Sequence, residues 1–153
     1  MTAILAGPAR HARVVLRGGA ALLDAVTEAM AGLGWPSATL LILGGPMARA
    51  VYHTSVLTPG GPRWIDYGPA HDTPAPAWLV TGSATFGAGL DGLPALHCHA
   101  VLTGGGRVVG GHLSPHACIL GADGLVAHAT GAEGARFQVV RDRSGFDLLT
   151  PVA

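Results

Sequence analysis

Lysine is absent from this sequence of 153 residues, and charge of either sign is scarce. The nine basic residues are all arginines, nine acidic residues balance them, and charged residues make up 12% of the chain. An average globular protein has about 25%. A protein that binds phosphate backbones needs a positive surplus, so direct DNA binding is disfavoured. The shortage of charge also predicts a surface partly covered by partner subunits.

Cysteine is also rare, since only Cys98 and Cys118 are present. Two cysteines exclude a dense disulfide framework, and they lead us to expect a reducing compartment, the cytoplasm. No basic residue precedes the first apolar stretch, which argues against a secretory signal. The uncharged run Ala29 to Ala48 has the length of a membrane span, but glycine and proline interrupt it, so no membrane segment is expected.

Glycine and short apolar blocks are abundant, with 24 glycines and 49% hydrophobic residues. An amphipathic period predicts one principal helix near the N-terminus, over Ala20 to Ala31. About eight strands joined by hairpins are expected elsewhere, and Pro59 to Pro76 has the proline and glycine of a long loop. The pattern predicts an α+β fold, with residues 1–153 forming a single domain on a bent, mostly antiparallel sheet.

Three of the eight histidines form a suggestive pattern in a predicted hairpin. His97 and His99 point to the same face of a strand, because side chains alternate along a strand. If the hairpin turns about Gly105-Gly106, the register sets His99 opposite His112. Three imidazoles would then share one face of the sheet.

Three imidazoles suit zinc, copper, iron or nickel, and the lack of a carboxylate argues against magnesium or calcium; zinc is the default choice. We therefore predict a zinc site held by His97, His99 and His112, whose fourth position is open to water, substrate or a further side chain. His53 and His116 are candidates for a fourth ligand. The alternative is that these histidines only pack within a glycine-rich sheet.

The stretch Leu93 to Leu113, with its His-x-His and later Gly-Gly-His, resembles the signature of the plants and prokaryotes conserved domain, also called PPC or DUF296. Gly19 to Ala25 resembles the family's helix start, Leu43 to Gly45 its glycine after a buried strand, and Trp78 to Phe86 the strand before its histidines. The similarity covers most of the chain. It implies a compact α+β fold, a homotrimer, and a metal site at the three histidines.

Two departures from the family pattern limit what the resemblance implies. Plant members carry a short basic AT-hook that enters the minor groove of DNA, and this sequence contains no such segment. The family usually has a glutamate about a dozen residues after the last histidine, where this chain offers only Asp123. The fold of the family is similar to that of acetolactate decarboxylase, a zinc enzyme, so an enzymatic function stays open.

The sequence thus leaves two principal functions open. The first is a trimeric, metal-stabilised binding or regulatory module for a protein partner or a small ligand. The second is a metal-dependent lyase or hydrolase that uses the open zinc position. An enzyme would need a general acid or base, for which Asp66, Tyr67, His116 and Asp123 are candidates.

Overall fold

The computed structural model describes residues 7–61, 63–73, 76–142 and 145–152. Within them the chain forms one α-helix and eleven strands joined in one sheet. In chain order these are β1 Ala9–Leu16, α1 Leu22–Leu33, β2 Ala38–Ile42, β3 Gly45–Leu57, β4 Ile65–Thr73, β5 Ala77–Ala88, β6 Pro94–Gly104, β7 Arg107–Leu113, β8 Ile119–Leu120, β9 Leu125–Ala132, β10 Arg136–Arg141 and β11 Asp147–Val152. The class is α+β, as predicted.

The strands follow the order β1-β9-β2-β5-β6-β7-β3-β4, and almost all pairs are antiparallel. Strand β3 also pairs with β5, so that β5, β6, β7 and β3 complete a circuit of pairings. A flat sheet cannot close such a circuit, so the sheet must bend around its interior. The short parallel contact of β10 with β5 attaches the last two strands.

The helix begins and ends two residues later than the sequence predicted. Gly32 stays within α1, and Gly34 adopts the left-handed conformation, φ 65°, that ends it. At the other end Ala21 gives no side-chain cap. The amides of Leu22 and Leu23 instead donate to the carbonyls of Cys118 and Pro115. The helix start is therefore fixed by the segment that leads into β8.

The hydrophobic core contains the buried side of α1 and the inward residues of the strands. Leu22, Val26 and Met30 of the helix are fully buried, and so are Leu79 and Leu102 of the central strands. No helix among the described residues is long and apolar enough to cross a membrane.

The expected long loop from Pro59 to Pro76 is wrong for Ile65–Thr73, which form β4 at the edge of the sheet. Strand β4 pairs with β3, and its register shifts between His53 and Ser55. Pro69 lies at this irregularity, where the ladder does not need its missing N–H. The proline and glycine that suggested a loop are accommodated by an irregular edge strand.

Candidate metal centre

The hairpin of β6 and β7 brings the three predicted histidines together. Thr103 lies opposite Val108, Val101 opposite Gly110, and His99 opposite His112, so the predicted register is confirmed. Gly105 and Gly106 form the turn with φ values of 57° and 74°, a left-handed pair that suits a tight hairpin. The turn thus sets which residues of β7 face His97 and His99.

The rings of the three histidines form one compact group. The Nε2 atoms of His97 and His99 are 2.9 Å apart, and ring centroids within the group are separated by 4.7 to 5.2 Å. One ring nitrogen from each histidine lies within 4.8 Å of the others. Among the described residues, no other group of three or more histidine, cysteine or acidic side chains is close enough to hold a metal ion.

The donor set fits a tetrahedral metal ion. Two nitrogens bound at about 2.0 to 2.1 Å with a tetrahedral angle would be about 3.3 Å apart. The separation of 2.9 Å between His97 Nε2 and His99 Nε2 is within a few tenths of an ångström of that value. A shift that small is available to side-chain rotation. All three ring nitrogens lie within 4.8 Å of one another, so rotation of the side chains must still draw the set together before it can hold one ion.

Partial burial favours the neutral form of two of the three rings, the form that can donate a lone pair to a metal. Burial, with smaller contributions from His97, His99 and His53, lowers the pKa of His112 to about 4. Burial and the neighbouring His99 also lower the pKa of His97. Both rings are therefore neutral at pH 7, and a neutral imidazole is the form that binds metal.

Tyr67 lies beside the cluster. The sequence predicted a loop at this residue, whereas the structure has it on β4. Its ring lies 4.7 Å from that of His112, and its hydroxyl oxygen is 3.5 Å from His112 Nδ1. Burial, and secondarily Asp66, raises the pKa of Tyr67, so the phenol keeps its proton. Tyr67 is thus placed to orient His112, as outer hydrogen-bond partners of ligating histidines do.

His53 lies directly opposite His112 on β3, yet it is not free to become a fourth ligand. Its Nδ1 is 2.9 Å from the Gly68 carbonyl oxygen, and its Nε2 is 3.1 Å from the Ser114 hydroxyl oxygen. With both nitrogens engaged, His53 ties β3 to β4 and to the residue after β7. His116 is exposed and does not join the group.

The acidic candidates for general acid or base chemistry lie apart from the three histidines. Asp66 is 3.6 Å from Arg63, and Asp123 is exposed in the turn between β8 and β9. Strand β3 pairs with both regions and so measures their separation. Leu120, close to Asp123, pairs with Met47, whereas His112 pairs with His53, which is six residues after Met47 on β3. Six strand residues span about 20 Å, so Asp123 is far from the histidines of its own chain.

No family model matches the sequence, and no curated protein matches it. Solved structures do match: a plant- and prokaryote-conserved (PPC) protein from Pyrococcus horikoshii has a TM-score of 0.69 and 18% identity over 100% of this chain and 99% of that one. A metal-containing protein from Archaeoglobus fulgidus has a TM-score of 0.67 and 19% identity over 94% of each chain. The "Putative DNA-binding protein" of Ralstonia eutropha JMP134 has a TM-score of 0.66 and 19% identity, covering 90% and 89%.

These comparisons define the class of fold. The chain is an α+β protein with a mostly antiparallel sheet and a three-histidine group on that sheet. Its fold is that of the PPC protein, as the resemblance in Leu93 to Leu113 implied.

Proposed function

We propose that the chain is a PPC-family binding module whose three histidines hold a zinc ion. The observation that carries this proposal is the convergence of His97, His99 and His112, with ring nitrogens within 4.8 Å and no carboxylate among them. The metal-containing protein of Archaeoglobus fulgidus, which has the same fold, supports it. A bound zinc ion would supply a positive charge and an open coordination position on the sheet surface.

Metal analysis of protein purified without chelator tests the centre. We expect close to one zinc ion per chain, and we expect His99→Ala to weaken zinc binding at least about 100-fold, because two imidazoles hold zinc poorly. His128→Ala is the matched control. His128 is an exposed histidine on the same face of the sheet as His99, but it lies on β9, three strands away from β6. Equal zinc content in wild type and His99→Ala would contradict the proposal.

We also propose that the module works as a homotrimer. The face of the sheet that carries the histidines also exposes an outer apolar patch, in which the exposed fractions run from 36% to 73%: Val15, Leu41, Trp78, Val101 and Val108. Exposed apolar area on this scale marks an interaction surface. Closure of three copies about one axis would cover the patch without leaving a free interface.

Light scattering over a concentration series tests the assembly. We expect a mass three times that of the 15.4 kDa chain, and Leu41→Glu should shift it towards the monomer because it places a charge in the patch. Leu90→Glu, at an exposed leucine of the β5–β6 turn, should leave the trimer intact. A wild-type monomer at micromolar concentration would refute the trimer.

Generic duplex DNA is not a partner that this surface favours, because its arginines are balanced by acids. A protein partner or a small ligand fits better. The lyase or hydrolase alternative has less support, since Asp66, Asp123 and His116 lie outside the histidine group and only Tyr67 of the four candidates lies beside it. We propose that the protein is located in the cytoplasm, where its two free, buried thiols would stay reduced.

A further inference from the structure

The segment from Phe146 to Pro151 lies beside the histidine cluster. Phe146 meets the ring of Tyr67 edge-on at 6.2 Å, and Tyr67 in turn contacts His112. Further along the same segment, Leu148 to Pro151 border a cavity together with Thr85 and His97. The segment therefore touches the surroundings of the cluster on both the His112 side and the His97 side. Between it and the sheet lies a recess that opens beside His97.

The chemistry of this recess restricts what can occupy it. Its volume is about 230 Å³, and its walls are two leucines, a proline, two threonines and His97. A water molecule takes about 30 Å³ in the liquid, so the recess has room for roughly eight non-hydrogen atoms. Among the residues that the structure describes, no arginine or acidic side chain lines it. The part of an occupant that lies inside the recess is therefore short and largely apolar.

The cluster determines the other end of the occupant. Within the described part of the chain the group consists of His97, His99 and His112 alone, so a divalent ion bound by these three keeps both of its positive charges. A half-buried, uncompensated charge of that size attracts an anion. A phosphate would need several strong donors, and the described lining of the recess offers only the hydroxyls of Thr85 and Thr150 besides His97. A carboxylate needs fewer hydrogen-bond donors than a phosphate.

The geometry points to a binding site for short-chain monocarboxylates, with the carboxylate directed to the metal centre and the alkyl chain in the recess between His97 and β11. The inference rests on the proposed metal centre and names its ligand class. A second cavity, lined by Leu41, Thr81 and His99 among others, adjoins the same cluster. It lies on the outer apolar patch, which the trimer would cover, and so the His97 side is the one left for a ligand.

The test uses full-length protein loaded with cobalt(II), whose visible absorption reports on the coordination sphere. Titration with acetate, propionate, butyrate and pentanoate should give an affinity that rises about four-fold per added methylene. Thr85→Phe should fill the recess and abolish this gain, so that all four acids bind about as weakly as acetate. Thr81→Phe is the matched control, because Thr81 is on the same strand and face but lines the other cavity.

A second measurement uses wild-type protein only, so it does not depend on whether a variant folds. In wild-type zinc-loaded protein, the methyl group of butyrate should show nuclear Overhauser effects to the methyl groups of Leu148 or Leu149. Cobalt-loaded protein that binds acetate and pentanoate equally well, or that loses the gain in Thr81→Phe and keeps it in Thr85→Phe, would refute the inference alone. Protein that binds no cobalt would refute the metal centre and the inference with it.

Discussion

The residues of β6 alternate between two faces of the sheet, one of which packs in the core while the other carries the histidines. Leu96, Cys98 and Leu102 point inward and are at most 9% exposed, whereas His97 and His99 point outward. Burial of the inward set fixes the register, because a slip of one residue would turn every side chain to the other face. The position of the histidines is thus a consequence of core packing on the opposite side of the strand.

Truncation of neighbouring residues on the two faces should show the largest difference. Leu102→Ala removes a fully buried side chain and should lower the free energy of unfolding by about 2–5 kcal/mol. Val101→Ala, at a residue 36% exposed on the other face, should cost about 1 kcal/mol or less. Urea unfolding of both variants measures this. Equal losses would mean that Val101 is also tightly packed, either within the chain or against another copy in the proposed trimer.

Adjacent glycines on β7 allow a finer comparison. A Cβ at Gly111 would lie 2.4 Å from the backbone oxygen of His53, whereas a Cβ at Gly110 would meet only the Ala100 carbonyl oxygen at 3.6 Å. We therefore expect Gly111→Ala to cost about 1–3 kcal/mol of unfolding free energy and to weaken metal binding, since β7 must move away from β3.

Gly110→Ala should be neutral or slightly stabilising, because its Cβ has space and alanine restricts the unfolded chain. Thermal unfolding and zinc titration of the two variants check both expectations. If Gly110→Ala were the damaging substitution, the close approach of β7 to β3 would not be the constraint that positions His112.

The smallest expected effect concerns the strand pair that borders the ligand recess. Arg141 on β10 donates hydrogen bonds to Asp147 on β11 and lowers the pKa of that carboxyl. A lowered pKa means that the pair stabilises the fold above the ordinary aspartate value of about 3.9 and loses this contribution as the pH falls through the folded value.

Asp147→Asn should therefore be slightly less stable than wild type at pH 6, and the difference should disappear towards pH 3. Thermal unfolding at the two pH values measures it, with Asp123→Asn, at an exposed turn, as the control. A difference that grows on acidification would have the wrong sign for this ion pair.

The sequence predicted the β6–β7 hairpin down to its register, because each signal for it is local. Two glycines mark the turn, and alternation assigns the faces of His97 and His99. The zinc ion and the trimer stay predictions.

Other parts of the site had no local signal. Tyr67 is 45 residues from His112 in the chain, and its strand contains the glycine and proline of a loop. Phe146, which contacts Tyr67, is 79 residues from it in the chain. Contacts of this kind depend on how the sheet closes, and a single sequence does not show which edge strand will meet which hairpin.

The order of residues along the chain has a consequence for protein synthesis. The last of the three histidines is translated at residue 112, and Phe146 to Pro151 follow at least 34 residues later. The histidines therefore emerge from the ribosome before the segment that frames the recess. Metal can reach them before that segment packs, and the recess beside His97 is completed only after Phe146 to Pro151 have emerged.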